Sequence, residues 1–278
     1  MYSLESKNRT IVVDKPIVMG ILNATPDSFY SPSCVTLLKE TLCKAEQMLM
    51  AGASILDIGG QSTRPGSNWL TAEEELARVI PPIEQLAKEF PTAFISIDTF
   101  HAKVAEEAIQ AGAHMVNDIS AGLLDAEMLS TVSRLQVPYV IMHMRGDPQT
   151  MQLNTEYKNV VNEVLSFLNE RKKACQAQGI KQLIVDPGIG FSKTIEQNFE
   201  LIANLEAFQV LESPVLLGLS RKSFICKTLQ TDPAGALNGS TFLHAIGLQK
   251  GATILRVHDV QEAVDGIKLF NGLYPNLL

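Results

Sequence analysis

FISIDTFHAKVAEEAIQAGAHMVND, residues 94–118, contains the repeating unit of this chain. Phe94–Ile97 is a short apolar run that ends at Asp98. Val104–Ala111 then places apolar residues at three-and-four spacing, which predicts a helix. Ala111-Gly112-Ala113 stops that helix, and Met115–Val116 opens a second apolar run that ends at Asn117 and Asp118. Strands that are apolar throughout, without polar alternation, belong to parallel sheets buried on both faces.

The same unit recurs on either side. Ile17–Leu22 runs into Asn23, Ile55–Ile58 into Gly59 and Gly60, Tyr139–Met142 into His143, and Leu183–Val185 into Asp186. Val215–Leu217 is followed by Lys222, while Ile254–Val257 carries Arg256 and ends at His258. Helical spacing fills the intervals at Leu37–Met50, Ala72–Phe90, Met128–Leu135, Val160–Gln178, Phe199–Leu211, Leu237–Gln249 and Val260–Phe270. About eight strand–helix units of similar length predict an α/β fold over residues 1–278, a single (β/α)8 TIM barrel with a short N-terminal extension. In such a barrel the C-terminal strand ends meet at one rim, so the polar residues that end the strands form one pocket.

Bulk properties narrow the function. The 278 residues are 46% hydrophobic, ample for a large core, and carry a net charge of −7. With a pI near 5.3, the chain lacks the basic face of a nucleic-acid binder. No apolar run approaches the roughly 20 residues of a membrane helix. Met1–Asp14 is polar and charged, without the apolar core of an export signal, so the expected location is cytoplasmic. Cys34, Cys43, Cys175 and Cys226 lack CxxC spacing and read as reduced thiols. No Gly-x-Ser-x-Gly elbow, Walker loop or Gly-x-Gly-x-x-Gly fingerprint is present.

Three segments have the chemistry to hold an anion. Gly59–Gly66 combines close backbone approach with the Thr63 hydroxyl and the Arg64 guanidinium. Arg256 and His258 share one face of the last strand by period two. Asn23 opens Asn23-Ala24-Thr25-Pro26-Asp27-Ser28-Phe29. Each also reads as ordinary structure: a turn, a salt bridge beside a packed histidine, a turn-forming asparagine. A second group, Asp98, Asn117 and Asp186, suits a flat heterocycle. A carboxylate accepts two parallel N–H bonds from an aminopyrimidinone, and an amide both donates and accepts. Singly these residues also fit helix caps. Lys222 suits a ring carbonyl or a carboxylate partner. In Met142-His143-Met144 a sulfur packed on a ring is favoured over a metal site, since no second ligand lies at ligand spacing. His101 and His114 take no role.

Asn23–Phe29, Gly59–Gly66, Ser96–Thr99, Asn117-Asp118-Ile119, Met142-His143-Met144, Asp186–Phe191, Gly218–Ser223 and Arg256–Val260 together resemble the signature blocks of dihydropteroate synthases, in order and in spacing from Ile17 onward. The resemblance implies condensation of 6-hydroxymethyl-7,8-dihydropterin pyrophosphate with p-aminobenzoate, the substrate that sulfonamides mimic, to give 7,8-dihydropteroate and pyrophosphate. It implies a pterin pocket of Asp98, Asn117, Asp186 and Lys222, with Met142, Phe191 and Gly218 around the ring. It implies a pyrophosphate side of Asn23, Thr63, Arg64, Arg256 and His258, with Asn23 on Mg2+, and a p-aminobenzoate side of Phe29, Thr63, Pro65, Lys222 and Ser223. Asp98, Lys222, Arg256 and His258 would carry the chemistry, and the protein would be a homodimer. Two positions depart from the family. Tyr30-Ser31-Pro32-Ser33 replaces the usual Ser-Asp-Gly-Gly, and Gln61 stands where many members have Glu. The alternatives are a catalytically silent pterin-binding paralogue, which would lose the anion residues, and a methyltetrahydrofolate-binding methyltransferase-like barrel, which would lack Ser62-Thr63-Arg64-Pro65.

Overall fold

The computed structural model describes residues 2–7, 9–24, 33–61, 69–147 and 149–275, with side chains 33–37 and 152 left aside. Strands β1 (Tyr2–Ser6) and β2 (Arg9–Val13) form an antiparallel hairpin. Eight parallel strands follow: β3 (Ile17–Asn23), β4 (Ile55–Gly59), β5 (Phe94–Asp98), β6 (Met115–Asp118), β7 (Tyr139–Met142), β8 (Leu183–Asp186), β9 (Leu216–Leu217) and β10 (Ile254–Val257). They pair in the order β8-β7-β6-β5-β4-β3-β10-β9. A parallel bridge between Val185 and Val215, with the Val185 N–H donating to Pro214 O at 2.9 Å, joins the two ends of that order. The expected eight-stranded barrel is present.

Helices α1 (Ser33–Met50), α2 (Ala72–Glu89), α3 (Ala102–Ala111), α4 (Met128–Leu135), α5 (Val160–Ala177), α6 (Ile195–Ala203), α7 (Ser223–Leu229), α8 (Leu237–Gln249) and α9 (Val260–Leu273) surround it. Outward-facing strand residues such as Leu56, Ile58, Ile95, Ile97 and Leu255 pack into one core with Val79, Ile83 and Leu86 of α2. The glycines that were expected to end helices, Gly52, Gly112, Gly179 and Gly251, all have positive φ, between +87° and +123°. No described helix is long and apolar enough to cross a membrane.

Inward-facing residues divide the interior into two levels. Met19, Ile55, Phe94, Met115, Val140, Ile184, Leu216 and Ile254, one from each barrel strand, form a separate apolar cluster with Leu4 and Val13 of the hairpin. The N-terminal extension is therefore a stopper on the barrel floor. One pleat higher the lining turns polar, with Asp57, Ser96, Asn117 and Arg256.

Two helical expectations need correction. Phe199–Leu211 is not one helix. A capping box at Thr194 and Gln197 starts α6 four residues earlier, and after Asn204 the chain tightens into a 3-10 turn, Leu205–Leu211. Helix α7 was not foreseen, because seven residues are too few to show a period.

Candidate active site

The polar level is built around Arg256. Its Nε donates to Asp57 Oδ2 at 2.6 Å and its Nη2 to Asp98 Oδ2 at 2.5 Å. Asn117 Nδ2 donates to the same Asp57 oxygen at 3.0 Å. Strand register explains this convergence: Asp98 pairs with Asn117 on neighbouring strands, while Gly59 beside Asp98 has no side chain to crowd it. A Cβ at Gly218 would stand 3.9 Å from both Asp186 Oδ2 and the Arg256 Cβ, which brings Asp186 to the same mouth.

One wall comes from the loop after β8. Asp186 Oδ1 accepts the Gly188 N–H at 2.7 Å. Lys222, the N-cap of α7, donates its Nζ to Ile189 O and lies 4.5 Å from the centre of the Phe191 ring. Met142 and Phe191 belong to an apolar cluster with Phe100, Ile119, Met144 and Met151. The result is an apolar surface beside carboxylate and amide groups. Such a surface suits a planar heterocycle with N–H edges.

Burial dominates the electrostatics. It pushes the Asp98 carboxyl up, against the pull of the Arg256 guanidinium. It pushes Asp186 up too, opposed by Lys222, the Gly188 N–H, Arg256 and Lys193. It lowers Lys222 to about 8, with Asp186 and Asp98 opposing. Burial works against the charge of Arg256 as well, but Asp57 and Asp98 outweigh it and hold the guanidinium protonated. The mouth therefore concentrates opposite charges in a low-dielectric space, where each acts strongly on a ligand.

Several expected residues are placed differently from the simplest reading. Strand β10 stops at Val257, and His258 sits exposed on the rim with its N–H and Nδ1 each 3.2 Å from Ser220 Oγ. Arg256 points inward to two carboxylates, so in this structure it is Arg256, and not Lys222, that neutralises Asp98 directly. Asn23 is exposed at the end of β3, and Ser223 is exposed at the start of α7. Phe29, Thr63, Arg64 and Pro65, together with Tyr30-Ser31-Pro32, lie outside the described residues.

Asp57, Glu75 and Lys193 were missed. Asp57 had a visible signal, a lone charge inside Ile55-Leu56-Asp57-Ile58 and two residues before Gly59. Glu75 stands in the apolar stripe of α2, in line with Val79, Ile83 and Leu86. Its Oε2 accepts from Thr99 Oγ1 at 3.0 Å, and its Oε1 has no partner among the described residues.

Fold and mouth together define a pterin-binding barrel enzyme, and a profile described as pterin binding enzyme matches residues 19–258. The dihydropteroate synthase of Haemophilus influenzae is 43% identical over 271 residues, 97% of this chain and 98% of that one. The Yersinia pestis dihydropteroate synthase, solved as a sulfonamide drug complex, superimposes with a TM-score of 0.93 at 38% identity and covers 99% of this chain and 100% of its own. The Xanthomonas albilineans enzyme, solved with 4-aminobenzoic acid, gives 0.90 at 40% identity over 98% and 97% of the two chains. This chain belongs to the dihydropteroate synthases and is a transferase of folate biosynthesis.

Proposed function

We propose that the barrel mouth joins 6-hydroxymethyl-7,8-dihydropterin pyrophosphate to p-aminobenzoate through a division of labour among the residues just described. Asp98, Asn117, Asp186 and Lys222 hold the pterin edge, with Met142, Phe191 and Gly218 around its ring. The observation that carries this reading is the convergence of Asp57, Asp98, Asn117 and Arg256 beside the Asp186–Phe191 wall. Departure of pyrophosphate leaves a positive charge on the exocyclic methylene, spread into the pterin. Asp98 stabilises that charge electrostatically. Asp57 holds Arg256 in place, and the remaining N–H donors of Arg256, with His258, Thr63 and Arg64, receive the leaving group. The weak aryl amine, for which Phe29, Pro65, Lys222 and Ser223 are the proposed seat, then attacks the cation. It forms the C–N bond in place of the C–O bond to pyrophosphate and releases its extra proton to solvent without a strong base. Turnover of both substrates, followed as pyrophosphate release, tests the reading. No release at saturating concentrations would return the chain to the silent pterin-binding class.

Mg2+ fits as a partner of the diphosphate. Among the described residues no three His, Cys, Asp or Glu are grouped to hold a metal, while Asn23 offers an exposed hard oxygen at the rim. Mg2+ keeps several waters and is commonly bound through substrate phosphates, so one amide ligand is compatible. It would supply charge neutralisation for the departing pyrophosphate.

Asp186→Asn is expected to weaken binding of a bare pterin by roughly 1.5–3 kcal/mol, the range for a lost charge-assisted hydrogen bond. Calorimetry measures it. Unchanged affinity would take Asp186 out of the pocket.

The homodimer is proposed on the helices at the other side of the barrel wall. Phe242 of α8 is 65% exposed and Leu269 of α9 is 73% exposed, on adjacent helices. Phe242→Glu is expected to give a monomer in sedimentation, and a dimer would remove α8 from the interface. Free thiols at Cys43, Cys175 and Cys226 suit a reducing compartment, which supports a cytoplasmic location.

A further inference from the structure

Met142-His143-Met144 and the loop after β8 hold polar groups that the condensation does not use. Lys193 is only 4% exposed, and its Nζ lies within hydrogen-bond distance of three partners: Gly188 O at 2.9 Å, Phe191 O at 2.9 Å and His143 Nδ1 at 3.0 Å. His143 is 2% exposed and meets the Phe167 ring edge-on at 4.9 Å. The two loops touch at several other points. His143 N–H donates to Asp186 O at 3.1 Å, and Ser192 Oγ bridges the Arg145 N–H and carbonyl at 2.9 Å each. At Gly188, with φ +70°, a Cβ would fall 2.0 Å from His143 O.

We propose that Lys193 is a positioning residue of the pterin pocket: a buried ammonium that pins the loop carrying Asp186 and Phe191 against His143 and supplies Asp186 with positive charge from the rear. The inference rests on the reading of Asp186 as a pterin ligand. An ammonium has three donors and no acceptor, so it alone satisfies two carbonyls and an imidazole lone pair at once. His143 is then the neutral tautomer with its proton on Nε2. Burial, followed by the Lys193 and Arg145 charges, drives the His143 pKa down to about 2, consistent with a permanent acceptor. The charged groups acting on Asp186 are Lys222, Arg256 and Lys193. Burial, opposed by Asp186 and aided by Lys222 and Arg145, pulls Lys193 well below the usual lysine range, so its charge rests on the three partners around its Nζ. Neither His143 nor Lys193 touches substrate in this arrangement. They set where the pocket wall stands and how firmly Asp186 stays ionised.

The experiment is pterin calorimetry across pH on wild type, Lys193→Met and Lys193→Arg, beside nitrogen NMR of His143 in the wild type. In Lys193→Met the affinity for a bare pterin is expected to fall roughly tenfold at neutral pH. The acid-side midpoint of binding should rise by about one pH unit, because Asp186 then protonates more readily. Lys193→Arg should restore the midpoint, even if its bulk lowers affinity. A loss of affinity with an unmoved midpoint would leave Lys193 a packing residue and overturn the proposal. If the variants do not fold, the spectrum of the wild type decides. An unprotonated Nδ1 from pH 5 to 9 is expected, and a protonated Nδ1 means a neutral lysine and sinks the idea. Absence of pterin binding by the wild type would instead strike the reading of the site itself.

Discussion

Arg256→Ala should both unfold more readily and lose turnover, and the two losses should be separable. Asp57 is fully buried and takes its 2.6 Å ion pair from Arg256, so truncation leaves a carboxylate in the barrel interior with the Asn117 amide but no counter-charge from Arg256. Breaking a buried pair from one side costs about 3–5 kcal/mol. On the role proposed for Arg256, loss of a donor to the leaving group is expected to lower turnover by roughly 10²–10³-fold. Asp57→Asn combined with Arg256→Met removes both charges together and is expected to recover most of the stability and none of the turnover. Chemical denaturation and steady-state kinetics on the single and double variants decide this. Full stability in Arg256→Ala would show that Asp57 finds water or another partner, and that the pair does not hold the barrel.

Glu75→Gln should change the pH dependence of stability without touching substrate. Burial raises the Glu75 carboxyl to about 8, beyond the lowering effect of the Thr99 hydroxyl and with Asp98 adding to the rise. The folded chain therefore keeps a proton that the unfolded chain releases above pH 4.5. Stability from this group is complete below pH 4.5 and is lost as pH climbs through 8, by about 1.4 kcal/mol per unit within that window. The loss totals on the order of 4 kcal/mol in the wild type by pH 8. Glutamine does not titrate and still accepts from Thr99. The variant should match the wild type near pH 5 and exceed it increasingly up to pH 8. Parallel stability curves would mean that Glu75 ionises like a surface acid.

What the sequence revealed, and what it hid, follows the range of the forces involved. Period and punctuation are local, so the strand runs and the helix stops at Gly52, Gly112, Gly179 and Gly251 could be read directly. The strand-end residues Asp98, Asn117 and Asp186 could be read because a barrel gathers such ends whatever the helices do. Asp57 interrupts its strand where the other polar residues end theirs, and a single charge within an apolar run carries no periodic signature. The Arg256 pairing joins residues 199 positions apart, and no local pattern encodes that choice between Asp57, Asp98 and solvent. Lys193 sits in a loop without period. Its value depends on two carbonyls and a histidine that only the folded chain brings within 3.0 Å. The hairpin was hidden by charge. Arg9, Glu5 and Lys7 mark the segment as polar, although Leu4 and Val13 face the barrel floor.

That floor sets a schedule for synthesis. Leu4 and Val13 leave the ribosome about 240 residues before Ile254, the side chain that completes their cluster. At roughly 5–20 residues per second the hairpin waits on the order of 10–50 s before its apolar face has its full set of partners. During that wait it is an unpaired two-stranded ribbon, a form that is marginal by itself in water. The hairpin is thus open to misassociation during that wait, and slowing elongation before β10 has emerged should harm the yield more than slowing it afterwards.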